Sequence, residues 1–199
     1  MSGSHVDVLI LGGGIIGCAL AEELARQRQR VVVLERGRIG AEASSAAAGI
    51  LSAQMDVAEP GPFFEFCQAA RALYPVWVRS IERAARLSTE FRVNGILYLA
   101  ATAVQARIMA ARAQWQQRRG LRVERWAPAQ IRQREPAVDG RFRAGFFFPA
   151  EAQLDNAVLM QALAVACRRA AVEVREGVSA RRVLVRGRAV AGVETDRGV

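Results

Sequence analysis

A chain of 199 residues has enough material for one large domain or two small ones with a buried core. Its 52% hydrophobic and 24% charged content is ordinary for a globular protein, whereas its net charge of +9 would suit a nucleic-acid binder. All 28 basic residues are arginine and are spread along the chain, so we interpret the charge as compositional bias and expect no nucleic-acid partner. Nucleic-acid binding stays an alternative, and it predicts an affinity that collapses with added salt.

The three cysteines, Cys18, Cys67 and Cys167, have no CxxC spacing and no histidine cluster beside them, so neither a disulfide framework nor a metal site is predicted. Cys18 is expected to be a small buried side chain. The single histidine, His5, precedes the first predicted strand and is expected to be solvated. The apolar stretch 8–21 contains glycines, lacks a basic leader and is too short for a membrane span. We therefore expect a cytoplasmic protein that is not an integral membrane protein.

The first part of the chain predicts a βαβ unit with a right-handed crossover. Its strands are continuous apolar runs, as parallel sheets that are covered on both faces require. Its helix repeats Ile16, Leu20 and Leu24 every four residues, which predicts that these side chains form the buried face. The predicted elements are a strand at 6–11, a helix at 16–28 and a strand at 31–35.

The rest of the chain predicts a mixture of helices and strands after an irregular, small-residue loop at 37–62 that holds a short helix. Further helices are predicted at 63–87, 104–119, 128–134 and 156–171, the last capped by Asp155 or Asn156. Strands are predicted at 92–100, 121–126, 143–149 and 172–175, followed by a hairpin of 181–185 and 189–195 that turns at Gly187. Two aromatic groups are expected in the core, with a substrate wall as the alternative: Phe63, Phe64 and Phe66, and Phe146, Phe147 and Phe148.

The end of the chain carries a turn signal, Asp196-Arg197-Gly198, directly after the hairpin. A third strand of a meander would follow such a turn, and a two-stranded hairpin is marginal by itself. We therefore expect that the sequence is truncated, with completion by a partner as the alternative.

The run Gly12-Gly13-Gly14-Ile15-Ile16-Gly17 fits the dinucleotide-binding pattern G-x-G-x-x-G between a strand and a helix. Gly12 permits the tight turn, Gly14 allows the backbone to approach a pyrophosphate, and Gly17 allows helix and strand to pack closely. The pyrophosphate would lie at the helix N-terminus, which favours an anion. Glu35 ends the second strand, where it can bind both ribose hydroxyls and would repel the 2′-phosphate of NADP. The motif does not separate FAD from NAD, and a glycine turn that binds nothing is the alternative.

Two further runs carry a family resemblance, namely Glu35-Arg36 and Ser44-Ser45-Ala46-Ala47-Ala48-Gly49-Ile50-Leu51. With the glycine run, they resemble the D-amino-acid oxidase superfamily of flavoproteins. Together with Phe63-Phe64-Glu65-Phe66 and Leu73-Tyr74, they look most similar to the glycine oxidase family of thiamine biosynthesis. The resemblance implies an α/β fold with a Rossmann-like FAD-binding domain, built on a parallel sheet, and part of an α+β substrate domain. The implied FAD-binding domain comprises 1–75 and 150–199, the implied part of the substrate (cap) domain comprises 76–149, and the fold is incomplete at the C-terminus.

The resemblance also assigns FAD-binding roles to residues of this chain. Ile15 and Ile16 would contact the pyrophosphate through their backbone, and Glu35 and Arg36 would hold the adenosine. The backbone of Ala180 would contact the adenine. The complete implied set is Gly12, Gly14, Ile15, Ile16, Gly17, Glu35, Arg36, Ser44, Ser45, Ala48, Gly49, Ile50 and Ala180.

The small-residue loop supplies the remaining contacts in that set. Ser44 and Ser45 would reach the phosphate or ribitol, with a helix N-cap as the alternative. Ala48, Gly49 and Ile50 would line the flavin, because small residues let a flat ring approach backbone N–H groups.

The activity implied by the resemblance is oxidation of a small amino acid such as glycine through FAD, with oxygen or another electron acceptor as the second substrate. Its products would be an imine or ketoacid, ammonia and hydrogen peroxide. No catalytic residue is assigned, because the family's substrate-binding residues lie in its C-terminal half and hydride transfer depends mainly on positioning. The alternatives are another D-amino-acid oxidase or dehydrogenase, a sarcosine-oxidase-like enzyme, or a truncated non-catalytic nucleotide-binding module. The sequence leaves the oligomeric state open, a homo-oligomer included.

Overall fold

The computed structural model describes residues 6–138 and 140–198, so His5 lies outside the described residues. The strands are β1 (Val8–Leu11), β2 (Val31–Glu35), β3 (Ile50–Leu51), β4 (Ile96–Ala100), β5 (Glu124–Trp126), β6 (Ala144–Phe148), β7 (Ala152–Gln153), β8 (Glu173–Glu176), β9 (Ala180–Arg186) and β10 (Ala189–Thr195). The helices are α1 (Ile15–Arg26), α2 (Ala43–Ala46), α3 (Pro62–Ala85), α4 (Ala103–Arg118), α5 (Pro128–Arg134) and α6 (Asn156–Arg169). The α/β class and the parallel sheet of the first strands are confirmed.

The described residues fall into two compact units. The first is formed by those of 1–48, 78–89 and 155–199, and the second by those of 49–77 and 90–154. The predicted division into 1–75 with 150–199 and 76–149 stays a prediction.

The first unit contains a parallel sheet in the order β1-β2-β8. The central strand β2 buries Val31, Val32, Val33 and Leu34, which explains why its sequence is a continuous apolar run. The strand predicted at 172–175 is β8, displaced by one residue; it pairs with β2 and is mostly exposed. Helices α1 and α6 pack against each other, and α6 begins where the Asp155 carboxylate accepts a hydrogen bond from the Val158 N–H at 2.9 Å.

The predicted hairpin is confirmed as β9 and β10, which pair antiparallel and turn at Gly187 with φ of 60°. Such a positive φ favours glycine, which explains the turn signal in the sequence. Val193 of β10 and Val178 before β9 join Val32 and Leu34 in one apolar cluster.

The second unit contains an antiparallel sheet in the order β4-β6-β5 and the short pair β3 and β7. Phe146 and Phe148 are buried against α4, as the sequence predicts, whereas Phe147 is half-buried. Helix α4 begins at a capping box, in which Thr102 and Gln105 each accept a hydrogen bond from the other's backbone N–H. The pair β3 and β7 was not predicted, because each strand is only two residues long.

The prediction that Ile16, Leu20 and Leu24 form the buried face of α1 is wrong for Ile16 and Leu20, whereas Leu24 is half-buried. Ile16 is 81% exposed and Leu20 is 47% exposed, whereas Cys18 and Ala21 are fully buried. Since α1 packs closely on β2 and α6, the small side chains of Cys18 and Ala21 occupy its buried positions, and spacing alone does not reveal that packing.

The aromatic residues at the start of α3 divide between core and surface. Phe64 is buried and makes an edge-to-face contact with Trp115, with ring centroids 4.8 Å apart. The expectation that Phe63 and Phe66 are core residues is wrong, because they are 67% and 70% exposed. Residues three apart share one helix face, and that face of α3 points away from the core of its unit.

Candidate dinucleotide site

The turn between β1 and α1 depends on two glycines. Gly12 has φ of 106°, which disfavours other residues, and its N–H donates to the Leu34 carbonyl at 2.8 Å. A Cβ atom on Gly17 would lie 2.0 Å from the Gly12 carbonyl oxygen. Because that neighbour is backbone, the turn and the helix can approach this closely only when residue 17 has no side chain.

The N-terminus of α1 faces the side chain of Ser44. Gly14 is the N-cap residue and supplies no side chain, so the Ile15 N–H donates instead to the Ser44 hydroxyl oxygen at 3.0 Å. Ser44 and Ser45 both lie within α2, whose N-cap is Glu42, so neither serine caps that helix. Because the Ser44 hydroxyl oxygen only accepts in this bond, its O–H can donate to a ligand. The remaining N–H groups in the first turn of α1 can donate to an anion at the helix N-terminus.

The Glu35 carboxylate lies at the end of β2 beside the glycine turn. One oxygen accepts a hydrogen bond from the Gly13 N–H at 2.7 Å, and the other accepts one from the Gly37 N–H at 2.7 Å. A carboxylate oxygen has two lone pairs, so each of the two oxygens can still accept one hydroxyl proton. Glu35 is therefore oriented by backbone donors and can accept both hydroxyls of a ribose.

The segment before β9 is fixed to the end of β2. The Val178 N–H donates to the Glu35 carbonyl at 3.0 Å, and the Gly177 N–H donates to the Gly37 carbonyl at 3.1 Å. These contacts bring Ala180, the first residue of β9, to the same cleft as Glu35 although the two are far apart in sequence.

The cleft has a volume of about 440 Å³ and lies within the first unit. Pockets for small ligands commonly have volumes of about 300–1,000 Å³. Six of the predicted site residues line it: Gly12, Gly14, Glu35, Arg36, Ser44 and Ala180.

The other predicted residues are placed differently. The Ile15 N–H donates to Ser44, which lines the cleft, and the Ile16 side chain is exposed. Gly17 packs against the Gly12 carbonyl of the turn. Ser45 is half-buried in α2, and Ala48 follows Ala47, whose carbonyl accepts a hydrogen bond from the Asn156 amide.

Gly49 and Ile50 belong to the second unit. The Gly49 carbonyl accepts a hydrogen bond from the Leu154 N–H at 3.0 Å, and Ile50 pairs with Gln153. Gly49 has φ of 75°, which explains a glycine at this point of the loop.

Sequence reasoning missed the part of the cleft wall formed by the loop after β2. The Gly40 N–H donates to the Gly13 carbonyl at 3.0 Å, and the Ile39 N–H donates to the Glu176 carboxylate at 2.7 Å. Gly40 has φ of 69°, a conformation that favours glycine, so a glycine at this position was the sequence signal for a tight turn in the loop. On the same wall, Arg36 forms an ion pair with Glu42 at 2.5 Å.

A buried polar cluster holds the loop after β3 in the second unit. The fully buried Glu151 carboxylate accepts hydrogen bonds from the N–H groups of Ala53 and Gln54, both at 2.7 Å, and lies 3.4 Å from the Arg71 guanidinium. Burial raises the pKa of Glu151, and the two N–H groups and Arg71 oppose that rise. The Gln116 amide donates to the Gln54 carbonyl at 2.8 Å. The loop that follows Gly49 and Ile50 is therefore fixed by buried hydrogen bonds.

The described residues also bear on metal binding and on membrane insertion. Within the described parts of the chain, no group of three or more histidine, cysteine or acidic side chains could hold a metal ion. None of the helices in residues 6–138 and 140–198 is long and apolar enough to cross a membrane.

A parallel βαβ unit with a glycine turn, an open helix N-terminus and an oriented carboxylate defines a dinucleotide-binding protein. The FAD dependent oxidoreductase family (DAO) matches residues 7–199, and the chain belongs to that family. The family assignment and FAD as the cofactor of the family are confirmed.

Relatives within this family carry more specific names. The chain is 33% identical over 194 residues to a bifunctional protein ThiO/ThiG of Synechocystis, covering 96% of the chain and 28% of the relative. It is 32% identical over 161 residues to a glycine oxidase of Geobacillus kaustophilus, covering 80% of the chain and 43% of the relative. The crystal structure of glycine oxidase from Geobacillus kaustophilus matches with a TM-score of 0.93 and 27% identity, covering 97% of this chain and 52% of that one. The chain thus spans about half the length of the solved relative, and less of the two sequence relatives.

Proposed function

We propose that the protein containing this chain is an FAD-dependent amino-acid oxidase that acts on glycine or a similarly small amino acid, as in thiamine biosynthesis. The observation that carries the proposal is the cleft in which the glycine turn, the Glu35 carboxylate and Ala180 meet. The names of the relatives, glycine oxidase and ThiO/ThiG, support the substrate class. We also propose a cytoplasmic location, with which three reduced cysteines are compatible.

The described residues fit the adenosine and pyrophosphate parts of FAD. Glu35 would accept the ribose hydroxyls, and the Ala180 backbone would face the adenine. The free N–H groups of α1 and the Ser44 hydroxyl would bind the pyrophosphate. No residue larger than glycine could replace Gly17 without displacing the Gly12 carbonyl and so distorting the turn beside this space.

The remaining proposed residues would position the flavin ring. Ala48, Gly49 and Ile50 would line it, with Gly49 and Ile50 fixed through their bonds to Leu154 and Gln153. The chemistry that bound FAD would supply is acceptance of a hydride from the amino-acid α-carbon and reoxidation by oxygen, with hydrogen peroxide, ammonia and a ketoacid as the expected products. This chain would thus contribute cofactor binding and orientation.

The test is a Glu35→Gln substitution in the protein encoded by the complete gene. We expect FAD affinity to fall about 10- to 100-fold, because a carboxylate that accepts hydroxyl protons contributes about 1.5–3 kcal/mol. Fluorescence titration with FAD measures the affinity. The matched control is Glu173→Gln, which changes an exposed carboxylate at the opposite end of a neighbouring strand and should leave the affinity unchanged.

The activity is tested separately with the same protein loaded with FAD. Glycine-dependent oxygen uptake with an equal amount of hydrogen peroxide would support an oxidase. Reduction by glycine without oxygen uptake would indicate a dehydrogenase, and a preference for sarcosine would indicate a sarcosine-oxidase-like enzyme. A folded protein that binds FAD but oxidises none of these amines would contradict the proposed activity.

A further inference from the structure

Two cysteines meet directly beneath the glycine turn. Cys18 of α1 and Cys167 of α6 are 149 positions apart in sequence, and both are fully buried where the two helices pack. The Cys167 thiol donates to the Cys18 carbonyl at 3.3 Å, and the Cys18 thiol donates to the Gly13 carbonyl at 3.4 Å. A continuous chain of contacts thus leads from α6 through both thiols to the loop beside Glu35.

The surroundings of the two thiols differ. Interaction with Cys167, followed by burial, raises the pKa of the Cys18 thiol, whereas interaction with Cys18 lowers the pKa of the Cys167 thiol. Cys167 is therefore the first of the pair to ionise, and a thiolate is the nucleophilic form. The nearby Glu22 side chain is almost fully buried, and one of its oxygens has no hydrogen-bond partner among the described residues. The Glu22 charge opposes ionisation by raising the pKa of the Cys167 thiol, but its free oxygen can accept the proton that the thiol gives up.

We propose that Cys18 and Cys167 form a reversible disulfide on exposure to hydrogen peroxide, and that this bond weakens dinucleotide binding. The Cys167 thiolate attacks a peroxide oxygen, the O–O bond breaks, and the sulfur becomes a sulfenic acid. The leaving hydroxide takes up the proton that the Cys167 thiol had released and departs as water. The Cys18 sulfur then attacks that sulfur, the S–O bond breaks, and a second water leaves with the Cys18 proton. Two thiols are oxidised and one peroxide is reduced to two waters.

The coupling to the cleft follows from the lost thiol proton. In the disulfide, Cys18 can no longer donate to the Gly13 carbonyl, so the turn that orients Glu35 loses one of its contacts. Loss of one such hydrogen bond corresponds to a decrease in FAD affinity of about fivefold. Burial makes the oxidation slow, because peroxide must enter through local opening of the α1–α6 interface. That the protein itself produces the peroxide rests on the proposed function, but the disulfide does not.

The arrangement of arginines makes the disulfide easy to detect. Trypsin places Cys18, Cys67 and Cys167 in three different peptides, 1–26, 39–71 and 144–168. The protein of the complete gene is treated with added hydrogen peroxide, its remaining thiols are alkylated, and the non-reduced digest is examined by mass spectrometry. We expect peptides 1–26 and 144–168 to be joined, and dithiothreitol to separate them. The half-buried Cys67 serves as the internal reference for peroxide reactivity.

The effect on the cleft is measured by FAD titration before and after oxidation. The affinity should fall about fivefold and recover with dithiothreitol, and it should not respond to peroxide in Cys167→Ala or Cys167→Ser. Oxidation of Cys67 without the joined peptides would overturn the disulfide, and joined peptides with unchanged FAD affinity would overturn the coupling. If the reduced protein binds no FAD, the proposed function fails by itself. In that case, amide hydrogen exchange at residues 12–18 tests whether the disulfide affects the glycine turn. Faster exchange after oxidation would support the coupling, and unchanged exchange would overturn it.

Discussion

Replacing Gly17 with alanine should lower the free energy of unfolding by about 3 kcal/mol and abolish FAD binding. Alanine at a helical position is intrinsically better than glycine by about 1 kcal/mol, so propensity alone predicts the opposite sign. The steric clash outweighs the gain in helix propensity, because the new Cβ would lie 2.0 Å from the Gly12 carbonyl oxygen. That oxygen belongs to the backbone, so rotating a side chain cannot relieve the clash. Thermal unfolding of the protein encoded by the complete gene should show a lower Tm, because each kcal/mol of lost stability lowers Tm by a few degrees.

The matched control for this substitution is Gly61→Ala. A Cβ on Gly61 would have nothing within 4 Å, so stability should fall by no more than about 1 kcal/mol, the cost of alanine at a helix N-cap, and FAD binding should not change. A Gly17→Ala protein as stable as this control would show that the turn can relax, contrary to the close packing described above.

Replacing Glu151 with alanine should destabilise the protein by about 3 kcal/mol. The substitution leaves the N–H groups of Ala53 and Gln54 buried without their acceptor, and it removes the carboxylate from beside the Arg71 guanidinium. Buried donors without acceptors cost about 1–3 kcal/mol each, and the partial exposure of Arg71 limits its share. Urea unfolding measures the change as a lower midpoint.

Glu151→Gln separates hydrogen bonding from charge at this position. The amide keeps one acceptor oxygen in the same place, so about half of the stability loss should be recovered. If the alanine and glutamine variants were both as stable as the original protein, the cluster around Glu151 would not hold the loop after β3.

The βαβ unit could be predicted because its determinants are local. The apolar runs of β1 and β2, the glycines between them and Glu35 all lie within one short stretch of sequence. The hairpin of β9 and β10 was predictable for the same reason, because Gly187 marks a turn between two strand-like runs.

What the sequence did not reveal depends on contacts between distant positions. The Ile39 N–H bonds to Glu176 across 137 positions, and the Glu151 carboxylate bonds to Ala53 across 98. Likewise, the exposure of Ile16 follows from how closely α1 packs on its neighbours, and helical spacing alone does not reveal that packing.

The central position of β2 gives the carboxylate of Glu35 a rigid base. Its backbone is hydrogen-bonded on both sides, to β1 and to β8, and four of its five side chains are buried. Its amide protons should therefore be among the slowest of the first unit to exchange with deuterium. The glycine turn and the segment 177–179 between β8 and β9 are loops, so we expect them to move when the cleft adjusts to a bound molecule, while Glu35 stays in place.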